Sequence, residues 1–166
     1  MSVFPPALLE RAAVFVRASA ARGLRIATAE SCTGGLVAAL LTEIPGSSFV
    51  VEAGFVTYSN EAKTAMIGVP ADLIEAHGAV SHPVALAMAQ GALAHSQADL
   101  AVSITGIAGP GGATATKPVG LVHFGLAVRG GVTRHLERSY GDLGRATVRA
   151  RAVEDALALL EQAIAP

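Results

Sequence analysis

The run from Leu100 to Ile104 (LAVSI) does most to narrow what this chain can fold into. It is short, bounded by Asp99 and Thr105, and shows no alternation of apolar and polar residues. A strand with one face in water alternates, whereas an uninterrupted strand is covered on both faces. Helices must therefore lie on both sides of the sheet that contains it.

The rest of the chain supplies them. Pro5 and Pro6 suit a first helical turn, Leu8, Leu9, Ala12, Val16 and Ser19 recur at helical spacing, and Gly23 stops the run. Leu24 to Ala29 (LRIATA) reads as a strand entering the small-residue turn ESCTGG, after which LVAALLTEI is helical until Pro45. Ser47 to Ser59 is enriched in β-branched and aromatic residues and predicts a second strand, with Asn60 capping the next helix. Helices are expected over Glu61 to Ile67, Ala71 to Ala76 and His82 to Ala94, whose Pro83 fits a first turn. Val119 to Val128 and Val132 to Ser139 flank Gly130-Gly131, the pattern of a two-residue hairpin. From Gly144 onward Val148, Ala152, Val153, Ala156, Leu157, Leu160 and Ile164 form one apolar helix face. No repeat or linker divides the 166 residues. The expected fold is a single α/β domain, a three-layer α/β/α sandwich around a mixed sheet.

Charge and composition exclude several functions. Twelve Lys+Arg against 13 Asp+Glu leave a net charge of −1, and seven aromatic residues give little for base stacking, so no nucleic-acid partner is expected. No run is long and apolar enough to span a membrane, and the start MSVFPPALLERAA lacks a basic region before an apolar core, which points to a cytoplasmic protein. Apolar residues make up 52%, and the 18 glycines carry the total past the ~45–50% typical of soluble domains. A homo-oligomer would account for that excess, as would an alanine-rich composition alone. The single cysteine, Cys32, excludes an internal disulfide and any cysteine-cluster metal site.

Ser31 stands where a strand gives way to a helix, a place where free first-turn N–H groups and the helix dipole favour negative charge. The same position suits an ordinary helix cap. Cys32 is the competing nucleophile, although no histidine neighbours it in sequence and a lone cysteine is more often a small buried residue. Only two of the twelve basic residues are lysines. Lys63 follows TYSN, one helical turn beyond Ser59, where it could share a pocket with Tyr58 and act as a base if desolvation lowers its pKa. Thr105 to Pro118 is a long loop in which Gly106, Gly109, Gly111 and Gly112 could present amides to an anion. It is neither a Walker A motif nor G-x-G-x-x-G. Arg145 and Arg149 open the last helix, where cations oppose the dipole, and that placement marks Arg145 as a candidate anion ligand, with a solvated first-turn arginine as the alternative. The five histidines are scattered without metal-ligand spacing and read as surface or packing residues.

In combination, AESCTGGLVAALLTEIPGSSFVVEAGFVTYSNEAK, SITGIAGPGGATATKPVGLVHFG and RATVRARAVEDAL resemble the CinA carboxy-terminal domain family, also called nicotinamide-nucleotide amidohydrolase, from about residue 7 to residue 164. The resemblance implies hydrolysis of the carboxamide of nicotinamide mononucleotide in pyridine nucleotide recycling, with no metal or other cofactor. It implies Ser31 as nucleophile, Lys63 as proton acceptor and Tyr58 as a supporting polar group. Expected substrate contacts are Glu30, Cys32, Thr33 and Gly34 in the turn, Thr105, Gly106, Gly109, Gly111 and Gly112 in the loop, and Arg145. GDLGRATVR departs from the compact Gly-Asp-Arg of many relatives, and Arg145 aligns with that arginine. The nucleotide-pyrophosphatase-like domain of longer relatives is not part of the resemblance, so its activity is not implied. Phosphate is assigned to the glycine loop and carboxamide to the Ser31 turn, and the residues alone leave the reverse placement open. The alternative function is a catalytically silent nucleotide- or phosphate-binding accessory module linked to competence or DNA damage.

Overall fold

A computed structural model describes residues 1–166. The strands are β1 (Ile26–Glu30), β2 (Val51–Val56), β3 (Leu100–Gly106), β4 (Leu121–Val128) and β5 (Arg134–Ser139). The helices are α1 (Pro6–Ala21), α2 (Leu36–Thr42), α3 (Asn60–Ile67), α4 (Ala71–His77), α5 (His82–Ala94) and α6 (Arg145–Ile164). One mixed sheet runs in the order β2-β1-β3-β4-β5, with β2, β1 and β3 parallel and β4 and β5 antiparallel to their neighbours. The three-layer α/β/α arrangement with a mixed sheet is the fold expected from LAVSI.

The two faces of the sheet carry side chains of different size. Ile26, Val102, Ile104, Phe124 and Leu126 pack against α1, α2 and α6 through Phe15, Leu40, Leu41, Leu157 and Leu160. Ala27, Ala29, Ala101 and Ala127 face the layer that contributes Ile67, Ile74, Val84 and Met88. LAVSI thus alternates in bulk and not in polarity, since successive strand residues point to opposite faces. The small face lets α5 approach until backbone meets side chain. Ser103 donates its hydroxyl to the Ala85 carbonyl at 2.6 Å and accepts the Gly125 N–H at 3.0 Å. A Cβ at Gly125 would lie 2.4 Å from the Ala85 oxygen, closer than any real contact.

The turn after β1 is held from beneath. The Glu30 carboxylate, fully buried, accepts N–H bonds from Gly35 and Val37 at 3.1 Å and from Ala38 at 2.9 Å. It therefore caps α2, whose N-cap position is Gly35 at φ +97° with no side-chain cap of its own. The start of α2 is the one LVAALLTEI predicts, and what fails is the reading of Ser31 as its cap or as a neighbour of its first-turn amides. The helix begins only at Leu36, because Glu30 reaches over a wide turn to satisfy the first helical amides.

Other boundaries moved for local reasons. A 3-10 turn at Ser47–Phe49, entered through Gly46 at φ +87°, delays β2 to Val51. Ser59 rather than Asn60 caps α3, accepting the Ala62 N–H at 3.0 Å. Strand β3 continues two residues past Ile104 because Thr105 and Gly106 pair with His123 and Val122. The hairpin is wider than two residues, since β4 ends at Val128 and β5 begins at Arg134.

Gly125→Ala should lower stability by about 1–3 kcal/mol through overpacking against Ala85. Glu30→Gln should cost about 2 kcal/mol, because three charge-assisted bonds lose their charge. Chemical denaturation measures both, and an unchanged midpoint would contradict the close packing in the first case and the capping role in the second.

Candidate active site

A cavity of about 300 Å³ opens at the carboxyl ends of β1, β2 and β3. Connections leave β1 toward α2 on one face and reach β3 from α5 on the other, so the strand order reverses here and a crevice forms. Ser31 and Cys32 line it from the β1 turn, Tyr58, Asn60 and Lys63 from the end of β2 and the start of α3, and Ala79 and Val80 from the segment before α5. Thr105, Gly106, Gly109, Gly111 and Gly112 line it from β3 and its loop, and Arg145 from the start of α6. A larger groove of about 480 Å³ between α3 and α4 offers only Glu61 and Glu75 as ionisable groups and no nucleophile beside a base.

Lys63 is 1% exposed. Its ammonium donates to Ser31 Oγ at 3.0 Å, to the Thr57 carbonyl at 2.8 Å and to the Tyr58 carbonyl at 3.3 Å. Burial lowers its pKa to about 8, against smaller upward pulls from Cys32 and Glu61. A minor neutral population at physiological pH can therefore accept a proton from Ser31. Burial has the opposite consequence next door, pushing the Cys32 thiol up to about 11. Its thiolate is scarce at neutral pH, and it is the Ser31 hydroxyl that contacts Lys63.

Backbone amides in the turn divide cleanly. Ser31 donates its N–H to the Ile104 carbonyl, Gly34 to the Ser31 carbonyl, Gly35 to Glu30 and Leu36 to the Thr33 carbonyl. The N–H groups of Cys32 and Thr33 donate to no other residue, that of Cys32 lying against its own thiol. Thr33 is fully buried and does not line the cavity, whereas Cys32 does. In the loop, the amides of Ala108, Gly109, Gly111 and Gly112 are likewise without acceptors. Arg145 donates to the Gly109 carbonyl and to the Tyr58 hydroxyl, both at 3.0 Å, which leaves further guanidinium donors free at an exposed rim. Thr105 donates its hydroxyl to the Ala79 carbonyl at 2.8 Å.

Ten of the expected residues thus meet in one cavity: Ser31, Cys32, Tyr58, Lys63, Thr105, Gly106, Gly109, Gly111, Gly112 and Arg145. Glu30, Thr33 and Gly34 lie outside its lining. Glu30 is the helix cap, Thr33 is buried with its hydroxyl unpartnered, and Gly34 makes the turn at φ +60°. Sequence reasoning passed over Asn60, Ala79 and Val80 as lining residues, for which no residue-type signal existed. It also left Arg149 without a role, although a second cation one helical turn after Arg145 was a visible anomaly.

The CinA C-terminal domain model matches residues 9–164. A CinA-like protein from Anaeromyxobacter is 52% identical over 98% of this chain, which spans 39% of that relative's length. The crystal structure of competence/damage inducible protein CihA from Agrobacterium tumefaciens superimposes with a TM-score of 0.95 at 51% identity, covering 99% of both chains. That of a competence damage-inducible protein from Klebsiella pneumoniae gives 0.89 at 39% identity, over 93% of this chain and 95% of the other. Family match, whole-chain identity and backbone agree, and the chain belongs to the CinA C-terminal domain family.

Proposed function

We propose that this domain is an amidohydrolase that converts the carboxamide of nicotinamide mononucleotide to the acid, releasing ammonia through a serine ester. The 3.0 Å contact between Ser31 Oγ and the buried Lys63 ammonium carries the reading. Resemblance of the AESCTGG, TYSNEAK and TGIAGPGG segments to the amidohydrolase family supports the choice of substrate.

Lys63 in its neutral form takes the Ser31 hydroxyl proton as Oγ bonds to the amide carbon. The Cys32 N–H stabilises the resulting oxyanion. Lys63, now an ammonium, returns the proton to the amide nitrogen, the C–N bond breaks and ammonia departs. Water then attacks the ester with Lys63 again accepting a proton, which is passed back to Ser31 as the acid leaves. The free amides of the Gly109 to Gly112 stretch and the unused donors of Arg145 hold the phosphate, and the Arg145 bond to the Tyr58 hydroxyl fixes the rim of the cavity.

Ser31→Ala should abolish ammonia release from nicotinamide mononucleotide with the fold intact, while Cys32→Ser keeps most of the activity. Turnover near the wild-type rate in Ser31→Ala would overturn the serine mechanism. Because Lys63 must be neutral to act, kcat/KM should rise about tenfold per pH unit below its pKa and level off above about 8. Lys63→Arg, charged throughout that range, should be inactive. A flat profile between about pH 6 and about pH 9 would remove Lys63 as the base.

A further inference from the structure

We infer that Arg149 is a positioning residue for this proposed hydrolysis, one that fixes the peptide planes around Cys32 so that the Cys32 N–H faces the reacting carbonyl. The inference rests on the serine mechanism above. Arg149 projects from the second turn of α6 and donates through Nε to the Cys32 carbonyl at 3.0 Å and through Nη2 to the Thr33 carbonyl at 3.1 Å. A guanidinium is a rigid planar fork, so two carbonyls bound to it are held in a fixed relation.

Trans peptide geometry carries that relation along the turn. Within one peptide unit the C=O and N–H point in opposite directions. Drawing the Thr33 carbonyl to Arg149 turns the Gly34 N–H away from α6, and it lands on the Ser31 carbonyl at 3.0 Å. Holding the Ser31 carbonyl in turn directs the N–H of the same peptide unit, that of Cys32, the opposite way. The peptide on the other side of Cys32 is held directly by Nε. Both planes flanking the Cys32 Cα are thereby set, and of the turn residues that line the cavity this one alone has an amide bonded to no other residue. Gly34 makes this turn at φ +60°, which disfavours any other residue, and a Cβ there would stand at ordinary contact distance, 3.5 Å, from Arg149 Nη2.

The test compares wild type, Arg149→Lys and Arg149→Ala in ammonia release from nicotinamide mononucleotide and in binding of pyridine-3-boronic acid, read by boron NMR. The boronic acid adds Ser31 Oγ to boron as the hydroxyl proton leaves to Lys63, giving a tetrahedral anion that needs the same amide without turnover. Lysine has no planar fork, so Arg149→Lys should lose about 10²-fold in kcat with KM held within about twofold, and boronate affinity should fall in parallel at an unchanged melting temperature. Millimolar ethylguanidinium, but not ethylammonium, should restore part of the rate of Arg149→Ala. Full kcat in a folded Arg149→Lys would overturn the inference while leaving the serine mechanism standing. So would unfolding of both variants, which would make Arg149 a structural residue. A wild type that neither releases ammonia nor binds the boronic acid would overturn the hydrolase reading and this role with it.

Discussion

The Glu30 carboxylate is the point from which the geometry of the cavity is set. It is buried without a cationic partner, and three amides at the amino end of α2 stand in for one. Its own backbone closes the neighbouring strands. The Glu30 carbonyl accepts the Thr57 N–H, and the adjoining Ser31 N–H reaches the Ile104 carbonyl, both at 2.9 Å. One short stretch therefore ties together the ends of β1, β2 and β3 and the start of α2. The distance from Ser31 to Lys63 depends on this knot, because the Thr57 carbonyl that anchors the lysine belongs to the strand end Glu30 holds. Thr105 comes directly after Ile104, so its position is fixed in the same way.

Desolvation then separates two neighbouring side chains into different chemical roles. Removing water disfavours the charged form of any group, which lowers the pKa of an amine and raises that of a thiol. Lys63 becomes a usable base near neutrality and Cys32 becomes inert in the same surroundings. Three acceptors match the three protons of the Lys63 ammonium, so its charged form is also supported. The balance leaves its pKa within reach of physiological pH, where a proton can move in either direction.

The fold was legible in the uninterrupted strand LAVSI, in the proline and glycine punctuation of the helices, and in the long loop after Thr105. Alternation in bulk along that strand was also present in the sequence but invisible to a reading by polarity, and it is what brings α5 against Ser103 and Gly125. Ser31, Lys63, Tyr58 and the glycine loop were identified, and they do converge on one cavity. Glu30 was expected at the substrate as part of the turn that the resemblance places there. A carboxylate that caps a helix from several residues upstream has no sequence signature, since the usual cap signal is the residue adjacent to the first turn. Arg149 escaped assignment because its partners are backbone carbonyls far away in the chain, which residue types cannot reveal.

The cavity has two chemically distinct sides, and this bears on whether it serves binding or turnover. Arg145 and the acceptor-free amides of the Gly109 to Gly112 stretch gather hydrogen-bond donors at the rim, as an anion site requires. A silent nucleotide-binding module would need that side alone. The other side puts a lysine out of water, which costs free energy unless its charge is compensated, and directs one of its bonds at a serine hydroxyl instead of a carboxylate. No carboxylate hydrogen-bonds to Lys63, and such a partner would have raised its pKa and ended its usefulness as a base. An anion site alone gives no reason for that arrangement. A ligand with an anionic end at the rim and a carbonyl within reach of Ser31 gives one, because binding at the rim would then hold the carbonyl against a nucleophile whose base is already in place.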